Sequence, residues 1–200
     1  MKYFLFDIGN VLVDFQFERL YEIHAEHSGR PLVPFSEQDL EMRDRVEKGL
    51  IDDTQWVQYL NEARGLSWTV DDLVDVWAEL FTRNESGIEL FRSAIDSGVK
   101  VYTLSNIAKH HIDAIEKNWP DFFMGVTGLF LSYQIGVRKP HPDIYRHVLN
   151  KLNAAGDDCF FVDDLQENIN SARSVGIHAH LFVPENQPSI RSAADVFFNR

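Results

Sequence analysis

Tyr3-Phe4-Leu5-Phe6-Asp7-Ile8-Gly9-Asn10-Val11 is a short apolar run that ends on a carboxylate and breaks at a glycine. A hydrophobic strand terminated in this way presents Asp7 at its C-terminal end, and in open α/β sheets ligands bind beyond the C-terminal ends of the strands. Taken alone, Asp7 reads equally well as a solvated residue at a strand-turn junction, because Asp and Gly both favour turns. Three later segments decide between the two.

Downstream of this run the texture is helical from Phe15 to about Asn84. Phe17, Leu20, Tyr21, Ile23 and His24 share one helical spacing, and Ser36 with Asp39 resembles a capping box ahead of Leu40 and Met42. Trp56, Val57, Tyr59 and Leu60 follow Asp53 and Thr54, and Val70, Leu73, Val74, Trp77, Leu80 and Phe81 form a fourth helix. No strand is expected within this stretch. From residue 86 onward helix and strand alternate: helix 88–97, strand 99–104 ending at Ser105-Asn106, helix 109–118, strand 129–132, helix 142–152, strand 159–162, helix 167–175 and strand 178–182. Alternation of this kind argues an α/β fold, a doubly wound parallel sheet covered by helices on both faces. The first strand belongs to the same sheet as the later ones, so residues 1–14 and 85–200 form the core and residues 15–84 are a helical insertion.

Size and composition are those of a globular chain, with 200 residues and a formal net charge of −12. No Lys- or Arg-rich block supplies the phosphate-neutralising surface that nucleic-acid binding requires. The single cysteine, Cys159, sits beside Phe160, Phe161 and Val162, which reads as a small core residue and excludes an internal disulfide. No stretch approaches the roughly twenty apolar residues of a membrane span, and the opening run, cut by Asp7, lacks a secretory cleavage pattern. A cytoplasmic protein is expected.

Polar residues at the ends of buried parallel strands are the ones to question. Those ends carry Asp7, Ser105 with Asn106, and Asp163 with Asp164. Asp7 can act as a nucleophile on phosphorus or carbon through a covalent intermediate. Clustered with Asp163 and Asp164 it would need a cation, and hard, oxygen-ligated Mg²⁺ fits. Lys139, in Gly136-Val137-Arg138-Lys139-Pro140, brings a compact positive charge, and Ser105 a hydroxyl able to hold a phosphate oxygen. Each is weak alone: Asp163-Asp164 and Ser105-Asn106 could simply cap the helices that follow them, and a lone lysine is usually solvated.

Together these four segments resemble the four motifs of the haloacid dehalogenase-like (HAD) hydrolase superfamily, in order and spacing over nearly the whole chain: Phe6-Asp7-Ile8-Gly9-Asn10-Val11, Leu104-Ser105-Asn106, Arg138-Lys139-Pro140 and Phe161-Val162-Asp163-Asp164. The run Leu131 to Pro140 resembles members carrying a helical cap after the first motif, and the opening is similar to bacterial phosphatases of sugar phosphates, the α-D-glucose-1-phosphate phosphatase group in particular. The resemblance implies a Mg²⁺-dependent phosphatase of a small phosphorylated metabolite. Asp7 would form an aspartyl phosphate; Ser105 and Lys139, helped by Asn106, would bind the phosphoryl group. Mg²⁺ would be held by Asp7, the Gly9 carbonyl and Asp164, with Asp163 binding directly or from behind.

One position departs from the pattern. Most phosphatases of the superfamily carry an aspartate two residues after the nucleophile as general acid and base, and this chain has Gly9 there. Such groups contribute about a hundredfold to ten-thousandfold, so slow turnover or a good leaving group, such as a sugar 1-phosphate, is expected, with water or Asp14 as substitute. A metal-independent 2-haloacid dehalogenase, whose family members also lack that aspartate, is one alternative. A catalytically silent phospho-ligand or protein-binding module is another. A dinucleotide site is excluded by the absence of a G-x-G-x-x-G turn. Elsewhere, His110-His111 read as surface histidines, Trp56, Trp68 and Trp77 as core of the insertion, His141 as lacking a role, and Glu47-Lys48-Gly49 as a turn able to face the substrate.

Overall fold

Strand β1 (Tyr3–Phe6) lies at the centre of a five-stranded parallel sheet in the computed structural model, which describes residues 1–199. The sheet order is β5-β4-β1-β6-β7, with β4 at Lys100–Ser105, β5 at Gly128–Leu131, β6 at Cys159–Asp163 and β7 at His178–Leu181. Alternation along β1 divides the core. Phe4 and Phe6 face one side with helices α5 (Glu85–Asp96), α6 (Lys109–Asn118) and α10 (Gln187–Phe198). Leu5 faces the other with α8 (Pro142–Leu152) and α9 (Gln166–Ser174). Both faces are covered, which is why the central strands β1 and β6 are apolar up to their C-terminal edge. Cys159 is fully buried, and burial pushes its thiol up to about 12.

From β1 the chain moves to β4 and β5 on one side and later to β6 and β7 on the other, so strand order reverses between β1 and β6. Phe6 pairs with Thr103 on one side and Val162 on the other, which brings the residues following all three strands to one edge.

Helices α1 (Phe17–Ser28), α2 (Glu37–Glu47), α3 (Asp53–Arg64) and α4 (Val70–Leu80) form the insertion. Capping boxes open three of them, at Ser36 with Asp39, Asp52 with Gln55 and Thr69 with Asp72. Contrary to the all-helical expectation, the stretch ends in a two-residue strand, β3 (Thr82–Arg83), antiparallel to β2 (Val13–Asp14). Two residues are too few to express a period of two, so this ribbon is set by its partner and not by a pattern of its own. The short α7 (Ser132–Ile135) and the C-terminal α10 also lie outside the elements read from the sequence.

Candidate active site

Asp7 is the first residue past β1, and its amide donates to the Val162 carbonyl at 3.0 Å, which extends the pairing with β6 by one rung and fixes the carboxylate at the sheet edge. Beyond it the chain makes one tight turn, with the amides of Leu12 and Val13 donating to the Ile8 carbonyl and Asn10 at a positive φ of 53°. Asn is among the few residues that adopt this conformation readily. The turn aims Asn10 Nδ2 at Asp164 Oδ2, 3.0 Å away.

Lys139 Nζ lies 2.9 Å from Asp7 Oδ1 and 2.6 Å from Asp163 Oδ2 with its side chain 1% exposed. Burial opposes its charge, but Asp163 and Asp7 outweigh burial and raise its pKa, so it stays an ammonium. Asn106 holds the lysine backbone at both ends: its Oδ1 accepts from Lys139 N at 2.7 Å and its Nδ2 donates to Lys139 O at 2.8 Å. The amide expected to help bind phosphate is therefore committed to placing the lysine.

The paired aspartates differ in surroundings. Asp163 is fully buried and accepts from Asn168 Nδ2 at 2.8 and 3.0 Å, from Leu165 N at 2.9 Å and from Lys139. Asp164 is half-buried and is held by Asn10. Carboxylate oxygens of Asp7, Asp163 and Asp164 all lie within 4.8 Å of one another. Burial, set against the pull of Lys139 and joined by repulsion from Asp163 and Asp164, pushes the Asp7 carboxyl up to about 7. Three carboxylates against one ammonium leave two negative charges, the deficit a divalent, oxygen-seeking cation matches.

Ser105, last residue of β4, lines a cavity of about 70 Å³ between the sheet edge and the inserted helices, together with Gly9 and Asn106. A Cβ on Gly9 would meet Phe15 Cε1 at 3.2 Å, so an aromatic ring crowds the place a longer side chain would need. Asp14 does not line this cavity; its carboxylate accepts from Asn84 Nδ2 at 3.0 Å, on the ribbon. That contact leaves the suggested proton-transfer role without structural support.

One reading is corrected here. His110 and His111 are buried, not at the surface, because α6 packs directly on α4 and sets both rings beside Trp77. His110 Nδ1 meets Asp53 Oδ1 at 2.6 Å, and His111 Nδ1 accepts from Ala108 N at 3.1 Å. Trp56 and Trp77 are core of the insertion and walls of the cavity at once. His141 is solvent-exposed at the start of α8, where its ring accepts from Asp143 N. Glu47 does line the cavity, and its carboxylate meets Arg138 at 2.6 Å, while Arg138 also meets Asp44 at 2.8 Å. Ser132 Oγ donates to Glu47 O and accepts from Ile107 N, tying α2 to the loop after β4. Asn10, Asn168, Ser132 and Arg138 were not singled out as functional residues; Asn10 and Arg138, lying inside the quoted motifs, and Ser132, inside the run Leu131 to Pro140, carried a signal that could have marked them.

Among the described residues no helix is long and apolar enough to cross a membrane. A family model described as haloacid dehalogenase-like hydrolase matches residues 1–176. A D-ribitol-5-phosphate phosphatase of Bacteroides thetaiotaomicron is 22% identical over the whole of this chain and 99% of its own. A sesquiterpene phosphatase of Aspergillus oryzae is 35% identical over 91 residues, 44% of each protein, so the match spans less than half the length of that relative. Among solved structures, a magnesium complex of a HAD family enzyme from Bacteroides thetaiotaomicron superposes with a TM-score of 0.79 at 23% identity, over 91% of this chain and 93% of that one. With the family model spanning four of the five strands and the carboxylate edge, the chain belongs to the haloacid dehalogenase-like hydrolases.

Proposed function

We propose that this hydrolase is a Mg²⁺-dependent phosphatase of a small phosphorylated metabolite, with 1–14 and 85–200 as core, 15–84 as cap and the cytoplasm as its setting. The observation that carries this is the buried Asp7–Lys139 contact of 2.9 Å inside the three-carboxylate cluster. A buried nucleophile whose charge is met by a lysine suits an anionic substrate, and the two-charge deficit suits a metal. A metal-free dehalogenase would have no use for that deficit.

Asp7 attacks phosphorus in line with the leaving alcohol, and the aspartyl phosphate so formed is hydrolysed by water. Ser105 holds a phosphoryl oxygen, and Lys139, fixed by Asn106 behind and Asp163 beside it, neutralises another. Asp7, the Gly9 carbonyl and Asp164 would hold Mg²⁺, with Asp163 kept behind them by Asn168 and Leu165. The metal supplies positive charge that shields Asp7 from the incoming dianion and stabilises charge on the phosphoryl oxygens.

The finer expectation, a sugar phosphate such as glucose 1-phosphate, draws on the resemblance of the opening motif and on the ribitol-phosphate relative, whereas the sesquiterpene relative points to an apolar alcohol. Phosphate release from a substrate panel, with Mg²⁺ and with EDTA, tests the activity. Release that needs Mg²⁺ and disappears in Asp7→Asn is expected. Release unaffected by either change would overturn the proposal.

A further inference from the structure

The cavity that opens onto Ser105 and Gly9 is walled by hydrocarbon. Phe15, Phe17, Leu20, Trp56, Leu73 and Trp77 are among its lining, and the polar groups in the wall mostly have partners within the protein. Glu47 is paired with Arg138, His110 with Asp53, and His111 Nδ1 with the Ala108 amide. Arg43 faces Glu47 at 3.7 Å and lies over the Phe17 ring. His24, between the Phe35 and Trp68 rings, keeps both nitrogens without a partner. The polar handles left to the space are few, Arg43, His24 and the second ring nitrogens of His110 and His111, whereas a hexose or pentitol brings several hydroxyls that each lose their water on entry. A buried hydroxyl without a partner weakens binding, and sites built for polyols present matching donors and acceptors.

Resting on the phosphatase reading above, we infer that the substrate is the monophosphate of an apolar alcohol, a branched or unsaturated hydrocarbon chain, with its phosphate at Ser105 and Lys139 and its tail among the rings of Phe17, Trp56 and Trp77. The same wall accounts for Gly9. The Phe15 ring that crowds the Gly9 position closes the apolar space down to the reacting edge, where a carboxylate would otherwise interrupt it.

The test is a homologous series of n-alkyl monophosphates, together with geranyl phosphate, glucose 1-phosphate and ribitol 5-phosphate, with acetyl phosphate as a substrate whose leaving group does not reach the cavity. kcat/KM is expected to rise about three- to fourfold per methylene until the space is filled, with both polyol phosphates no better than methyl phosphate. Phe17→Ser is expected to flatten that rise, so that the longer esters lose most of their advantage over methyl phosphate. A flat series, or a polyol phosphate exceeding every alkyl ester, overturns the inference and leaves the phosphatase reading intact. If acetyl phosphate and all the esters resist hydrolysis, the phosphatase reading falls. Titration of the wild-type protein with alkylphosphonates, followed by tryptophan fluorescence, then still decides the tail: affinity that grows with chain length supports the apolar site, and affinity independent of length rejects it.

Discussion

Asp7 and Gly9 set the chemistry and its limit. The first is buried beside Lys139 and two further carboxylates, and in the proposed reaction the second offers neither an acid to protonate the departing alcohol nor a base to activate water. Gly9→Asp is expected to recover little by itself, because the new Cβ meets the Phe15 ring at 3.2 Å. Combined with Phe15→Ala it is expected to raise kcat by about tenfold or more, within the range of general acid-base catalysis. Comparing kcat of the single and double variants checks this, and equal rates would show that Phe15 does not govern the position. At this scale the meeting of Asp7, Lys139, Asp163 and Asp164 was legible because each lies at a strand end or precedes a proline inside a motif. The partners that orient them were not. Asn168 sits five residues past Asp163 on a helix, and only folding turns its amide onto that carboxylate.

Between elements, the inserted helices are fastened to the core by a few polar contacts around the cavity. Arg138 reaches Asp44 and Glu47 on α2, Ser132 reaches the end of the same helix, and His110 reaches Asp53 at the start of α3. Arg138 is next to Lys139, so the loop that places the buried ammonium also holds the inserted helices. Arg138→Met takes the close cation from the buried Glu47 carboxylate and leaves it only Arg43, 3.7 Å away, a change that costs on the order of 3 kcal/mol. A lower Tm, a raised KM and faster proteolysis within 15–84 are expected, while Asp44→Asn, which leaves the Glu47 contact, is expected to have the smaller effect. Equal Tm and KM for wild type and Arg138→Met would remove the latch. Helix positions in this region could be read from capping boxes and apolar spacing, since both are local. The ribbon of β2 and β3 and the burial of His110-His111 could not, because each depends on what a distant segment packs against them.

For the molecule as a whole, the shared core of sheet and insertion makes folding sensitive to acid through its buried histidines. Burial, with help from the charge of Arg64, pushes His24 down to about 4, and burial lowers His111 well below its ordinary value of 6.5. Between pH 6.5 and about 4 the unfolded chain therefore binds more protons at these positions than the folded one, and stability falls as pH falls through that window. Asp7, raised to about 7, works in the opposite sense, so the contrast with His24→Leu isolates the histidine: the wild type should lose more Tm over this range than the variant. Parallel Tm profiles would contradict it. The parallel sheet, the carboxylate edge and the helical insertion were all implied by the alternation of patterns along the chain, whereas the strand order came only with the structure. The apolar interior of the cavity was not, because residues read as helix core, Trp77 among them, also line the space above Ser105. The most direct measurement is the intact mass of the peptide carrying Asp7, taken by rapid acid quench during turnover with Mg²⁺. With acetyl phosphate, whose leaving group needs no general acid, the missing general base at residue 9 slows only the second step, so a phosphoryl adduct on that peptide is expected to accumulate in the wild type and be absent from Asp7→Asn. Turnover with no adduct at Asp7, or an adduct on another residue, would contradict the aspartyl-phosphate mechanism.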